Sequence, residues 1–196
     1  MKGQAVKKYI LILLLLIGSV QVSWAEDYKI AQLALWHPVQ LFSDDYSVKG
    51  VRLDIIYGVN ENVSGLDLGF VNRISGNLAG YESGIINLVH GNAYGFQQAS
   101  IFNLVDGDFV GLQAGFANSV GKDFKGLQLG IINGDEGDFT GLQVGLFFNQ
   151  VGGEMKGLQI GFLNLADSLD GVQIGFLNFT NKKNPLGFCP IVNASF

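Results

Sequence analysis

Between Phe124 and Asn133 the chain reads FKGLQLGIIN, with bulky apolar residues alternating with small or polar ones. Written as an extended strand, one face carries Lys125, Leu127, Leu129, Ile131 and Asn133; the other carries Phe124, Gly126, Gln128, Gly130 and Ile132. The following stretch sets Thr140, Leu142, Val144 and Leu146 against Phe139, Gly141, Gln143 and Gly145. A helix would scatter these residues around its circumference, and each interior glycine would weaken it by roughly 1 kcal/mol. The period of two predicts strands.

The phrase Gly-Leu-Gln-x-Gly-x-x-Asn recurs. Complete or near copies begin at Gly65, Gly80, Gly95, Gly111, Gly126, Gly141, Gly157 and Gly171, 14 to 16 residues apart, with a looser one at Gly50. Such a fixed period is the first thing that decides a fold. Between units lie Ser75-Gly76-Asn77, His90-Gly91-Asn92, Asp106-Gly107-Asp108, Gly121-Lys122-Asp123 and Glu136-Gly137-Asp138. Glycine beside Asn or Asp supplies the positive φ angles of tight hairpins. The first expectation is therefore all-β: an antiparallel meander of ~15-residue repeats, about 10–12 strands, closing into an outer-membrane-type β-barrel. Closure removes the exposed sheet edges of an open meander. The alternative is a β-solenoid with ~15-residue coils, Leu and Ile stacked inside and Gln and Asn in outward ladders.

Two rows follow. The glutamine position is held by Arg52, Asp67, Glu82, Gln97, Gln113, Gln128, Gln143, Gln159 and Gln173, with Asp54 standing where later units have glycine. This row faces the lumen of a barrel or the solvent around a solenoid, and aligned neighbours would pair Arg52 with Asp67. Leu112, Leu127, Leu129, Ile131, Leu142, Val144 and Leu158 form the row that faces lipid in a barrel or fills the core of a solenoid.

The termini add an address. Lys2, Lys7 and Lys8 precede an apolar run from Tyr9 to Ile17, and Ser23-Trp24-Ala25 gives a small-x-small exit. This predicts a secretory signal over residues 1–25, cleaved before Glu26, and a single repeat-built domain over 26–196. Loss of those lysines takes the formal charge from −5 to about −8, which argues against nucleic acid as a partner. The single cysteine, Cys189, makes no internal disulfide. Tyr28 to Phe42 is extended, with Pro38 predicting an edge, bend or bulge. After the basic turn Asn181-Lys182-Lys183-Asn184-Pro185, Phe188, Pro190, Val192, Ala194 and Phe196 alternate to the end. A terminal aromatic of this kind resembles the signal by which barrel-assembly machinery recognises its clients.

GLQAGFAN, GLQLGIIN, GLQVGLFFN, GLQIGFLN and the ending PIVNASF resemble a family of bacterial surface-repeat proteins over roughly residues 31 to 196. The resemblance implies bacterial origin and a cell-envelope address, and it carries over no functional residues. Catalytic chemistry is not indicated. His37 and His90 are the only histidines, and no Cys/His cluster has zinc spacing. Asp106, Asp108, Asp135, Glu136 and Asp138 are placed in turns but lack the GGxGxD pattern of calcium-binding repeats. The glycines lie within strands and are no phosphate loop. The expectation is a non-enzymatic envelope protein without a cofactor or an assigned small-molecule ligand. It would be an integral barrel in outer-membrane lipid with a narrow polar lumen, or alternatively a secreted or surface-attached solenoid serving a structural or adhesive role.

Overall fold

The computed structural model of the protein describes residues 28–181 and 187–196; the expected signal segment and Lys182–Pro185 of the basic turn lie outside them. The described strands are β1 (Tyr28–Trp36), β2 (Val39–Gln40), β3 (Ser47–Asn60), β4 (Val63–Ile74), β5 (Leu78–Val89), β6 (Ala93–Val105), β7 (Phe109–Val120), β8 (Phe124–Asp135), β9 (Phe139–Thr180) and β10 (Phe188–Ser195). They form one sheet in the order β10-β9-β8-β7-β6-β5-β4-β3-β1-β2.

Neighbours from β3 to β9 are parallel, which overturns the antiparallel meander and the barrel. The chain is a β-solenoid of about eight turns with ~15-residue coils. The Gly-Asx segments carry the chain round into the next coil instead of reversing it. Each stacks on the one before: Gly91 donates its N–H to Gly76 at 2.8 Å, and Gly107 to Gly91 at 3.0 Å. The turn glycines do this without the positive φ that a tight hairpin needs; what they supply is room, since a Cβ on Gly91 or Gly107 would run into the preceding turn.

Register is locked by identity. Gly111, Gly126 and Gly141 align, as do Leu112, Leu127 and Leu142, and Gln113, Gln128 and Gln143. Gly126 sits at φ +138°, and a Cβ there would collide with the backbone carbonyl of Gly111. The conserved-looking glycine of the phrase is thus a contact requirement of the stack rather than a turn signal.

Each coil bends at the middle of the repeated phrase, and this bend decides what lies inside. Gln128 is buried, as strict alternation from buried Phe124 requires. Asn133, five residues on, is also buried, whereas strict alternation places it opposite Gln128. The corner Gly130-Ile131-Ile132 shifts the phase by one residue, and β8 and β9 change register there. A one-residue slip exchanges the two faces of a strand. Consequently Asn133 joins Gln128 inside, and Ile132 turns outward.

Four rows point inward. Two are apolar: one runs Val63, Leu78, Ala93, Phe109, Phe124, Phe139, Met155 and the other Ile74, Val89, Val105, Val120, Val151. They form the hydrophobic core beside the Gly-Asx turns. Phe109, Phe124 and Phe139 stack face to face, with centroids 5.0 and 4.6 Å apart. The other two rows are the glutamines and asparagines. The solenoid expectation of Leu and Ile inside and amides outside is therefore reversed.

Both ends differ from the repeat. β1 pairs with β3 in parallel as the first rung, and after the His37-Pro38 corner β2 folds back along it. Pro38 marks the bend that the sequence predicts. At the other end β10 runs antiparallel to the last coil of β9, with a register shift at Pro190 and Ile191 at φ +71°.

Candidate interaction surface and buried polar ladders

Stacking identical amides in register leaves each side chain one coil from its copy, within hydrogen-bond reach. Each glutamine Nε2 donates to the Oε1 of the preceding coil: Gln113 to Gln97 at 2.8 Å, Gln128 to Gln113 at 2.9 Å, Gln143 to Gln128 at 2.8 Å, Gln159 to Gln143 at 2.7 Å and Gln173 to Gln159 at 2.7 Å. The asparagines donate in the opposite sense, toward the following coil. Asn103 reaches Asn118, and Asn118 reaches Asn133, at 2.8 Å; Asn133 reaches Asn149 at 2.9 Å. The second proton of each asparagine from Asn72 to Asn164 goes to a backbone carbonyl of the next coil, as Asn133 to Val144 at 2.9 Å. A buried amide left unpaired loses about 1–3 kcal/mol, so complete ladders are what makes this interior tenable.

β10 terminates both ladders. Asn193 Nδ2 donates to Gln173 Oε1 at 2.8 Å, and Asn178 Nδ2 donates to the Cys189 carbonyl at 3.0 Å. At the other end the glutamine ladder runs into acid: Gln97 Nε2 donates to Glu82 Oε2 at 2.7 Å. Beyond Glu82 lie Asp67 and Arg52, paired through Nε at 2.8 Å and Nη2 at 2.5 Å, as register predicts. Arg52 Nε is also 3.2 Å from Asp54 Oδ2. Two carboxyls, Asp54 and Asp67, thus share one guanidinium, with Glu82 on the next rung beyond Asp67, in a site closed to solvent. Burial pushes Asp54 up to about 7, with Arg52 opposing, and lifts Glu82 well above the carboxylate range, with the Asp67 charge adding to the rise. Burial opposes charge on Arg52, but its acidic neighbours hold its affinity for the proton above the ordinary value.

Asp135 is the residue the sequence reading misplaced. The expected turn carboxylate occupies the inward row held elsewhere by Val105, Val120 and Val151, fully buried. Its oxygens accept from Gln128 Nε2 at 2.9 Å and Gln143 Nε2 at 2.7 Å. Burial pushes it up to about 8, and the two amide donors pull against that rise. The signal in the sequence was its place two residues after the repeat asparagine, where other units carry Val or Ile. The other acids expected in turns, Asp106, Asp108, Glu136 and Asp138, stay outside. Asp106 meets His90 Nδ1 at 2.6 Å on the turn edge, and no group of three or more metal-ligating side chains occurs among the described residues.

The apolar row faces out. Leu129 is exposed, and Leu112, Leu127, Ile131, Leu142, Val144 and Leu158 are half-buried along the outer surface. On the second arm Ile86, Phe102, Ile132, Phe148, Leu163 and Leu177 point outward. At the corner between the arms stand Phe70, Phe116, Leu146 (74% exposed), Phe147, Phe162 and Phe176 (63%). Phe147, Phe162 and Phe176 stack outside the body, with centroids 5.7 and 5.2 Å apart. Amide ladders and an apolar core share the interior, and the outer surface is apolar except along the Gly-Asx edge. No known protein family, curated protein or solved structure matches the chain.

Proposed function

We propose that this is an exported bacterial cell-envelope protein working as a structural or adhesive β-solenoid module, not as an enzyme. The observation that carries the reading is the division of chemistry between inside and outside. The ionisable groups of the interior, Arg52, Asp54, Asp67, Glu82 and Asp135, are sealed where no substrate reaches them, and the exposed His90–Asp106 pair sits on a turn edge with no third metal-ligating side chain grouped with it among the described residues. What the rod offers outward is a repeated apolar surface and a repeated polar edge, the features of a module that binds by area. Export rests on the Lys-rich start, the apolar run and the Ser23-Trp24-Ala25 exit. In this reading the C-terminal strand β10 serves as a cap for the amide ladders, through Asn193 on Gln173 and the Cys189 carbonyl on Asn178.

Fractionation tests this. Envelopes are extracted with urea and then detergent, intact cells are shaved with protease, and the protein is run unheated and boiled. A surface-accessible, envelope-associated protein with no heat-dependent shift supports the module. A compact unheated band that shifts on boiling would restore the barrel, and retention in the cytosol would overturn the envelope address.

A further inference from the structure

We propose that the Phe-lined corner and the two arms flanking it dip into one leaflet of a phospholipid bilayer, with the rod lying in the membrane plane and its Gly-Asx edge in water. The inference rests on the module reading above and names its partner. Its first support is the shape of the apolar surface. Outward apolar rows occupy both arms and the corner joining them, so they wrap three sides of the rod. A second copy pressed against one arm leaves the other arm and the corner wet. The apolar run Tyr9–Ile17, laid along the rod, covers one row of several. A fluid apolar medium covers all three sides at once.

The second support is dimension. From the Leu127 row to the corner at Ile131 the first arm advances four residues, about 13 Å at ~3.3 Å per residue. One leaflet of a ~30 Å hydrocarbon core offers about 15 Å. The apolar band is too shallow to span and deep enough to seat in a leaflet, the mode of interfacial amphipathic elements. About eight turns at ~4.8 Å give a rod of about 38 Å. The first arm then presents roughly 500 Å², and the Phe-lined corner and the Ile132 row of the second arm add to it, so the surface matches or exceeds the ~300–600 Å² of the largest patch on an ordinary soluble monomer.

The third support is the rim. The exposed row just above the Leu127 row carries Lys49, Tyr94, Lys125 and Lys156, interrupted by Asp170. Long basic side chains and tyrosine suit the headgroup level, where the stem lies in apolar surroundings and the tip in water. The acids of the opposite edge, Asp106, Asp123, Glu136 and Asp138, are held away from an anionic surface. From β6 onward the ladders pair the buried amides with one another, as immersion demands; the buried oxygens of Asp54, Asn60, Asn72 and Glu82 in the first coils are the exceptions.

The test uses the full chain with Cys189→Ser, carrying an environment-sensitive fluorophore on Phe162→Cys or on Asp123→Cys, mixed with phosphatidylethanolamine–phosphatidylglycerol vesicles. The expected result is a blue-shifted label at 162, shielded from an aqueous quencher at least fivefold better than the label at 123. Comparison of the two labels on the same chain separates seating of the corner from tethering by the N-terminal apolar run, which acts on both labelled proteins alike. A triple variant, Phe116→Asp, Phe162→Asp and Phe176→Asp, should keep its β circular dichroism and lose the shielding of a label placed at Leu146→Cys. Equal quenching at 162 and 123 with an intact β spectrum overturns lipid seating and leaves the module reading standing. Shielding at 162 without vesicles, in a dimer seen by light scattering, overturns it in favour of a second copy. Loss of the β spectrum in the parent chain would remove the solenoid reading itself.

Discussion

Replacing Asp135 with Asn tests the buried interior through its proton balance. Asp135 lies fully inside the stack, and its affinity for a proton rises from an ordinary 3.8 to about 8. A carboxyl whose pKa is raised on folding is held more tightly as the neutral acid by the native state. Its stabilising contribution is complete below about pH 4, and it is lost as pH climbs toward about 8. Within that window the loss is about 1.4 kcal/mol per pH unit, so about 3 kcal/mol disappears between pH 5 and pH 7. Asp135→Asn removes this dependence and turns an NH₂ toward one of the two glutamine donors, an offset of about 1–3 kcal/mol. The variant should therefore be the less stable protein in acid and gain about 3 kcal/mol on the wild type between pH 5 and pH 7. Urea denaturation followed by circular dichroism at several pH values measures both curves. Parallel curves across the window would refute the reasoning, because they would mean that Asp135 titrates alike in the folded and unfolded chains.

Other perturbations address the stack and its end. Asn133→Ala removes the donor to Asn149 and Val144 and orphans Asn118 Nδ2; it should lower stability by about 2–5 kcal/mol in urea melts. Gly126→Ala drives a Cβ into the Gly111 carbonyl at a positive φ, and should unseat the neighbouring coils, seen as lost amide protection in β7 and β8. Phe124→Ala opens the middle of the inner aromatic stack, and a loss of about 3–5 kcal/mol is expected. Arg52→Met strands Asp67 in the interior without a counter-charge, and destabilisation of about 3–5 kcal/mol is expected in urea melts at pH 7.

Much of this was legible in the repeat. The strands, the ~15-residue period, the bend at Pro38 and the Arg52–Asp67 pair all follow from alternation and register. What misled was continuity of phase. Alternation carried unbroken through Gly130-Ile131-Ile132 puts Asn133 on the leucine face and makes a flat, ten-residue strand that suits a barrel. The corner inserts one residue of phase, bringing Asn133 to Gln128's side and folding each unit into two short arms. A glycine flanked by bulky apolar residues does not announce whether the strand bends there, because extended and cornered backbones both accept it. The inward choice of amides was hidden for a different reason. Burying Gln128 alone is unfavourable, and only the register with Gln113 and Gln143 makes it possible, so the deciding contact lies fifteen residues away on either side. Asp135 was misassigned with them, since its nearness to Glu136-Gly137-Asp138 reads as turn.

The opposite senses of the two amide ladders bear on how long such a rod can grow. Every glutamine N–H points toward the first coil, and every asparagine N–H in the complementary row points toward the last. Their dipoles oppose, so the moments of the two columns cancel along the axis, unlike the summed moment of a helix. Each added coil contributes the same pair of opposed moments and no net field at the tips. Length is therefore free of electrostatic self-limitation, and the count of coils can change by whole units while Glu82 and β10 continue to close the columns.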